Sequence, residues 1–364
     1  MKHLSEEEIS TESEAVKKKQ RLKTILTTIG DSLQPYFKTQ IYEEKGQRPS
    51  FISIENVISE EKGTSKSKVH FVTYYLNSDV GKHNVFLVVK FAADENRFKN
   101  EIDNYSILSE VTKNHPDIYM PEIIYKSPKN RCIIYEGISG SNFRKSSLED
   151  NIKHQLAGKT LAAIHGIETG NFSVGPYKKL ILYLLSTLAD ETLEQEILEL
   201  MLPSFIGLEV SKGSTRIHGD FHQGNLLFVV NENNRIIKED DIKTYIIDPE
   251  FITPSRDRAE DMGIFFAKPL IKEFQANSKL DKTKYNLSIF IESYNNSLKQ
   301  MGAQYNLFDL YPEGFTIDFH IASYLLYDIS DKILSKNLEI KSLEIQQNLK
   351  LIRKLLNDKI LTIQ

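Results

Sequence analysis

Between residues 50 and 136 apolar and polar positions mostly alternate with a period of two. SFISIENVI, KVHFVTYYL and NVFLVVKFA are rich in β-branched and aromatic residues, and the polar stretches EKGTSKSK and NSDVGKHN separate them. That pattern predicts three strands. The period then changes. Phe98, Ile102, Tyr105 and Leu108 recur every three or four positions and predict a helix over 96–111. Two further apolar runs, PEIIYK and RCIIYE, flank the turn SPKN, so the predicted order is β-β-β-α-β-β. Ahead of this block an amphipathic helix is expected from about 12 to 33, with Val16, Leu22, Ile25, Leu26 and Ile29 on its apolar side.

After Gly137 the pattern is helical. SLEDNIKHQLAGKTLAAIHG carries Ile152, Leu156, Leu161 and Ile164 at helical spacing and opens with Ser147-x-x-Asp150, which reads as a capping box. Helical segments continue to about 208. RIHGDFHQGN interrupts them, and NLLFVV and KTYIID behind it predict a hairpin around NENN. From about 257 to the end the reading is helical again, with a kink or break at Pro269. The chain has no internal repeat and no low-complexity linker. The expected division is therefore a change of element type with no spacer: 1–136, a five-stranded sheet with one helix and the extra N-terminal helix, and 137–364, mostly helical. The fold class is α+β.

Bulk properties narrow the partners. The 364 residues are 40% hydrophobic and 26% charged, an ordinary globular balance with ample core material. A net charge of −4 and an isoelectric point of about 6.2 argue against a nucleic-acid partner. The single cysteine, Cys132, excludes an internal disulfide and a cysteine-rich zinc site, and within RCIIYE it reads as a small buried hydrophobe. The N-terminal twenty residues are charged where a secretory signal would be apolar, and runs such as 180–185 fall far short of the roughly 18–20 residues of a membrane span. A soluble, cytoplasmic protein with no membrane partner is expected.

Four features then fall in chain order. Lys90 ends the strand VFLVVK, Glu101 lies eleven residues on in the following helix, Asp220 and Asn225 lie in HGDFHQGN, and Asp248 ends the strand YIIDPE. Phosphoryl transfer from ATP needs these group types, because its transition state is stabilised mainly by positioning and electrostatics. A lysine holds the α/β-phosphates and a helical acid aims it. One carboxylate orients the attacking hydroxyl, and a carboxylate with an amide supplies the oxygen ligands that magnesium prefers. Asp-x-x-x-x-Asn is also the spacing of the kinase catalytic loop, although Gly219 replaces its arginine and argues against an ordinary protein kinase. A second reading takes His218, Asp220 and His222 as alternating ligands on one strand face for zinc or manganese, with Asp248 bridging, as in a metallohydrolase. Gly219 and Asn225 favour a loop over a strand at that point. A third reading is a kinase fold that binds nucleotide without catalysis.

HGDFHQGNLLF followed by a strand-borne IDPEF resembles the aminoglycoside phosphotransferase/choline kinase family, whose pattern is HGDxxxxN, a hydrophobic run, and IDxE or IDxG. The resemblance extends to Lys90, the helical E-x-x-x-Y-x-x-L from Glu101 to Leu108, IIYEGISG, LAAIHG and Asp261-Met262-Gly263. It implies a two-lobed, protein-kinase-like fold that binds ATP between the lobes and phosphorylates a hydroxyl of a small molecule, such as an aminoglycoside, an amino alcohol or a sugar. Residue by residue, it makes Asp220 the catalytic base, and Asn225 and Asp248 the Mg²⁺ ligands with Glu250 assisting. Lys90 holds phosphates under the orientation of Glu101. Ile134, Tyr135, Glu136 and Gly137 line the adenine pocket through backbone groups. Asp261 supports the loop from beneath, and His218 is structural, bonding nearby backbone. The phosphate-covering loop falls in EKGTSKSKVHF, which has only Gly63, so Thr64, Ser65 and Ser67 are the substitute donors. The acceptor site is expected from the helices after 257, with Asp257 and Glu260 meeting a cation, although both acids also fit exposed helix caps.

Overall fold

The period-two block builds the first sheet. A computed structural model of the chain describes residues 20–63, 67–166, 173–212, 214–230, 241–277, 279–311, 316–358 and 361. Two units emerge: 1–102 with 121–139, and 103–120 with 140–364. The division thus falls inside a helix as well as near 136. The segment 103–120 goes with the second unit, and 137–139 goes with the first.

In the first unit, residues 20–32 are helical (α1) and α2 is Gln34–Lys45. Val16 and the rest of 12–19 lie outside the described residues. The strands β1 (Ile52–Gly63), β2 (Ser67–Ser78) and β3 (Gly81–Ala92) are longer than their apolar cores suggested. After them come α3 (Glu95–Lys113), which continues into the second unit, the short β4 of that unit (Ile118–Tyr119), which the sequence reading missed, and then, back in the first unit, β5 (Ile123–Ser127) and β6 (Cys132–Glu136). The sheet is antiparallel, in the order β1-β2-β3-β6-β5. Val72, Tyr74 and Leu76 point to one face of β2, where Leu26, Ile29, Phe37 and Ile41 of the two helices cover them. The buried Tyr74 hydroxyl donates to the Leu26 carbonyl at 2.8 Å, so helix and sheet are joined by a satisfied polar contact. Cys132 lies in this core as expected. Burial pushes its thiol up to about 12, which leaves it inert.

The second unit packs helices around a small sheet. Its further elements are β7 (Ser141–Asn142), α4 (Asp150–His165), α5 (Gly175–Ser186), α6 (Glu191–Val210), β8 (Ser214–Ile217), β9 (Leu226–Val230), β10 (Ile242–Ile246), β11 (Thr253–Asp257), α7 (Arg258–Asn277), α8 (Asp281–Gln300), α9 (Ile317–Lys336) and α10 (Leu343–Asp358). The hairpin expected from NLLFVV and KTYIID is β9 with β10, within the order β4-β10-β9-β7; its turn, NENN, lies outside the described residues. β11 pairs antiparallel with β8, Asp257 opposite Ser214, and so brings the start of α7 beside the start of β8. Among the described residues, no helix is long and apolar enough to cross a membrane.

One local expectation fails here and a second fails in part. Ser147 does not cap α4. The N-cap is Glu149, with no side-chain cap bond, and Asp150 instead pairs with Lys153 and Lys282, each at 2.8 Å. Charge pairing to another helix outweighs a neutral local cap. Of the kink or break expected at Pro269, the break is excluded, since α7 runs on to Asn277. Phe265, Phe266, Leu270 and Phe274 are buried on both sides of it, and that packing offsets the backbone hydrogen bond the proline cannot donate.

Two buried histidines shape the acid stability of this unit. His154 packs against Phe143, Phe265 and Phe266. His165 sits between the Tyr294 hydroxyl and Asp261. Burial holds both imidazoles below the ordinary value of 6.5, His165 well below it. Below that pH the unfolded chain takes up protons that the native state resists. The stability from keeping them neutral is therefore complete above about pH 6.5 and declines as pH falls toward the lower native values. Urea midpoints should drop on acidification across this window, and His154→Gln should make the drop shallower; an unchanged slope would rule out His154 as a contributor.

Candidate active site

In the first unit β3 presents Lys90 inward, and the second turn of α3 presents Glu101; both are buried. Lys90 Nζ lies 2.5 Å from Glu101 Oε2. The other carboxylate oxygen, Oε1, accepts the Tyr135 hydroxyl at 2.6 Å. Glu101 is therefore held from two strands, β3 and β6. The sequence assigned Tyr135 a backbone role only. Nothing local reveals the side-chain contact, because it depends on the β3–β6 register, in which Val88 faces Tyr135 and Lys90 faces Ile133.

The other first-unit residues fall as follows. Ile134 and Tyr135 lie in β6, flanked by β3 and β5. The Glu136 N–H donates to the Glu122 carbonyl at 2.9 Å, and the Gly137 N–H donates to Phe86 at 3.1 Å. Those two donors are committed to the sheet. Gly63 ends β1 opposite Lys68, and Ser67 starts β2; Thr64 and Ser65 lie outside the described residues.

In the second unit the loop 218–225 leaves β8, passes through a 3-10 turn at Gln223–Asn225 and enters β9. Its shape is set by one carboxylate. Asp261, in the first turn of α7, is 0% exposed and accepts the His218 N–H at 2.7 Å and the Gly219 N–H at 2.9 Å. Burial pushes its carboxyl above the usual range, while His218 and the backbone donors pull it back. Gly219 adopts φ +78, and a Cβ there would stand 2.4 Å from the Phe251 carbonyl oxygen. Only glycine meets both conditions.

His218 is buried. Its Nδ1 accepts the Asp220 N–H at 3.4 Å, and its Nε2 faces the Ile247 carbonyl at 3.2 Å. Both ring nitrogens are used internally. With Gly219 in the left-handed region, 218–222 is a loop without alternating faces. The metallohydrolase reading fails on both counts.

Asp220 is half-buried. Burial raises its carboxyl above the usual range, as does the charge of Asp248; His222, Asn225 and Lys268 oppose the rise. Asn225 Nδ2 donates to the Asp220 carbonyl at 3.0 Å and to Oδ2 at 3.4 Å, and Asn225 Oδ1 takes no part in either contact. His222 Nδ1 accepts the Gly224 N–H at 2.9 Å and turns Nε2 to 3.8 Å from Asp220 Oδ2.

Asp248 follows β10 in a left-handed conformation, φ 63 and ψ 62, directly before the 3-10 turn Pro249–Phe251. A carboxylate oxygen of Asp248 and one of the buried Glu250 lie within 4.8 Å of each other. Asn104 Nδ2 holds the Glu250 backbone carbonyl at 3.1 Å. The donor set of Asn225, Asp248 and Glu250 is all oxygen, the chemistry of a hard cation such as Mg²⁺ and unlike the nitrogen and sulfur ligands of structural zinc.

The acids expected to meet a cationic acceptor do not face one. Asp257 is buried and accepts the Tyr311 hydroxyl, the Thr316 hydroxyl at 3.0 Å and the Ala259 N–H at 2.9 Å. Glu260 is held by Arg256 at 2.7 and 2.9 Å and by the Tyr177 hydroxyl. Their oxygens are consumed within the unit. Lys268, which the sequence reading passed over, instead lies close enough to act on Asp220. It falls seven residues after Asp261, two helical turns on, and that spacing was available as a signal.

The family model described as the phosphotransferase enzyme family (APH) matches residues 66–277, more than half of the chain. The chain belongs to that family. None of the curated proteins matches it. Among solved structures it is similar to an ethanolamine kinase from Plasmodium vivax, at 15% identity over 82% of each chain with a TM-score of 0.47. It is also similar to the ADP-bound aminoglycoside phosphotransferase APH(2'')-Ib, at 16% identity over 87% of this chain and 97% of that one with a TM-score of 0.46. A third is the choline kinase LicA from Streptococcus pneumoniae, at 13% identity over 88% and 98% with a TM-score of 0.46.

The loop geometry makes Gly219→Ala a severe change. Left-handed backbone strain of roughly 1–2 kcal/mol adds to an overlap with the Phe251 carbonyl, for a loss of at least about 2 kcal/mol. Urea denaturation of the variant measures it; a loss below about 0.5 kcal/mol would show that the loop reshapes freely.

Proposed function

We propose that the protein transfers the γ-phosphoryl group of ATP, with Mg²⁺, to a hydroxyl of a small molecule. The observation that carries this reading is the Asp220–Asn225 contact. One amide donates to the candidate base and keeps its oxygen out of that contact, within a loop anchored by a buried carboxylate. Family membership supports the reaction class. The acceptor hydroxyl hydrogen-bonds to Asp220 Oδ. Its oxygen bonds to the γ-phosphorus as the bond from that phosphorus to the β,γ-bridging oxygen breaks. The hydroxyl proton goes to Asp220, and ADP leaves with the bond electrons. Lys90, aimed by Glu101 and Tyr135, binds nucleotide phosphate. Asn225 and Asp248, with Glu250 beside them, hold Mg²⁺, which when bound supplies charge neutralisation on the phosphates. His218 and Asp261 shape the loop and take no part in the chemistry. An ATP-consuming enzyme with one buried thiol fits a reducing, cytoplasmic setting.

The test is ATP consumption with Mg²⁺ across pooled amino alcohols, aminoglycosides, sugars and hydroxy acids, for wild type and Asp220→Ala. Acceptor-dependent turnover that falls by about 10²–10⁴ in the variant is the expected result. Clear stabilisation by ATP with no turnover in any pool would point to a nucleotide-binding protein, and no ATP effect at all would overturn the reading. Tyr135→Phe leaves Lys90 and Glu101 in place but removes one hydrogen bond to Glu101. Losing a hydrogen bond to a charged group, about 1.5–3 kcal/mol, should lower kcat/KM for ATP about tenfold, and unchanged steady-state kinetics would remove Tyr135 from the machinery.

A further inference from the structure

Beside the catalytic loop the second unit contains a cavity of about 300 Å³, at the lower end of the range for small-ligand pockets. Gln223, three residues past Asp220 and in the same 3-10 turn as Asn225, forms part of its wall. Phe143, Phe266 and Pro269 supply apolar surface. The charged lining is unequal: Arg144, Lys153, Lys272 and Lys282 against Asp150 and Glu273.

Both acids are already engaged. Asp150 binds Lys153 and Lys282, each at 2.8 Å, and these two cations lower its carboxyl to about 2. Glu273 accepts the backbone N–H groups of Lys282 and Thr283 at 2.9 and 2.8 Å and the Thr283 hydroxyl at 2.6 Å. Two cations remain. Among the described residues the Arg144 side chain donates through Nε to Gln223 Oε1 at 3.4 Å with no hydrogen bond from its terminal nitrogens, and neither Arg144 nor Lys272 forms an ion pair. Lys268 stands one turn before Lys272 on α7 and acts on Asp220. Positive charge thus runs from the cavity toward the candidate base. A guanidinium with open nitrogens presents a fork that matches carboxylate or phosphate, and a nearby ammonium adds a point charge. A cationic acceptor would meet net repulsion here.

The geometry points to an anionic acceptor: a small hydroxylated carboxylate or phosphate ester whose charged end binds Arg144 and Lys272 in this cavity while its hydroxyl reaches Asp220. The inference rests on the phosphotransferase reading for the hydroxyl, but the anion site can be measured without turnover. Isothermal titration with malonate and with inorganic phosphate, on wild type and Arg144→Ala/Lys272→Ala, reads the site directly. Binding of either probe to wild type, weakened at least tenfold in the double variant, supports the site, and the probe that binds more tightly distinguishes carboxylate from phosphate. Equal affinities, or no binding to wild type, overturn it. Both side chains are exposed, and matching melting curves check that the variant folds; if it does not, Arg144→Gln serves alone with the same threshold. In the ATP-consumption assay, glycerate and glycerol 3-phosphate should turn over faster than ethanolamine or kanamycin. Turnover with the cations alone would overturn the anionic acceptor and leave the phosphotransferase reading intact. Loss of every ATP effect, with anion binding retained, would sink that reading instead.

Discussion

A carboxylate with no solvent exposure is expensive unless its oxygens are satisfied, and Asp261 is satisfied mainly by the backbone it shapes. The His218 and Gly219 N–H groups converge on it, and His165 approaches Oδ2 at 3.2 Å. Two consecutive amides can point at one acceptor only if the chain bends sharply. That bend places Gly219 at φ +78, against the Phe251 carbonyl. His218 is then directed inward to Ile247, and Asp220 turns toward solvent with Asn225 behind it. The first turn of α7 favours a negative group through the helix dipole, so the carboxylate suits its helix as well as its loop. Remove this anchor and the positions of the candidate base and the amide lose their common cause.

The same helix divides the charges of the second unit. Arg258 and Asp261 face inward with Met262, Phe265 and Phe266, while Lys268 and Lys272 face outward. The acids at its start are spent on internal bonds to tyrosines, arginines and backbone, and the lysines further along remain exposed. Composition is nearly balanced, with 46 basic and 50 acidic residues, so the cationic character near the loop arises from arrangement and not from amount. This reverses the polarity that Asp257 and Glu260 suggested when read along the chain.

Much of the organisation was legible in the sequence. Apart from the two-residue β4, the β-β-β-α-β-β order of 50–136 follows from periodicity, because side-chain direction in a strand or helix is a local property. The roles of Gly219 and Asp261 agree with HGD and DMG as motifs, since both lie at turns or helix starts where few residue types fit. Ser147 as a cap and Pro269 as a break misled for the opposite reason. Each is a local signal that a distant contact outweighs: Lys282 for the start of α4, and the phenylalanine packing around α7 for its continuation.

The chain alone determined the three long strands, the helix that follows them, the β9–β10 hairpin and the group types at the loop, because each depends on residues within a few positions of one another. Only the tertiary structure decided which charges are available. Tyr135 meets Glu101 across 34 positions, His165 meets Asp261 across 96, and Tyr311 meets Asp257 across 54. A carboxylate reads the same in sequence whether it faces a ligand or a buried hydroxyl. Burial separates the two cases, since a low-dielectric interior compels every polar oxygen to find a partner and leaves only the unpaired charges at the surface free to bind.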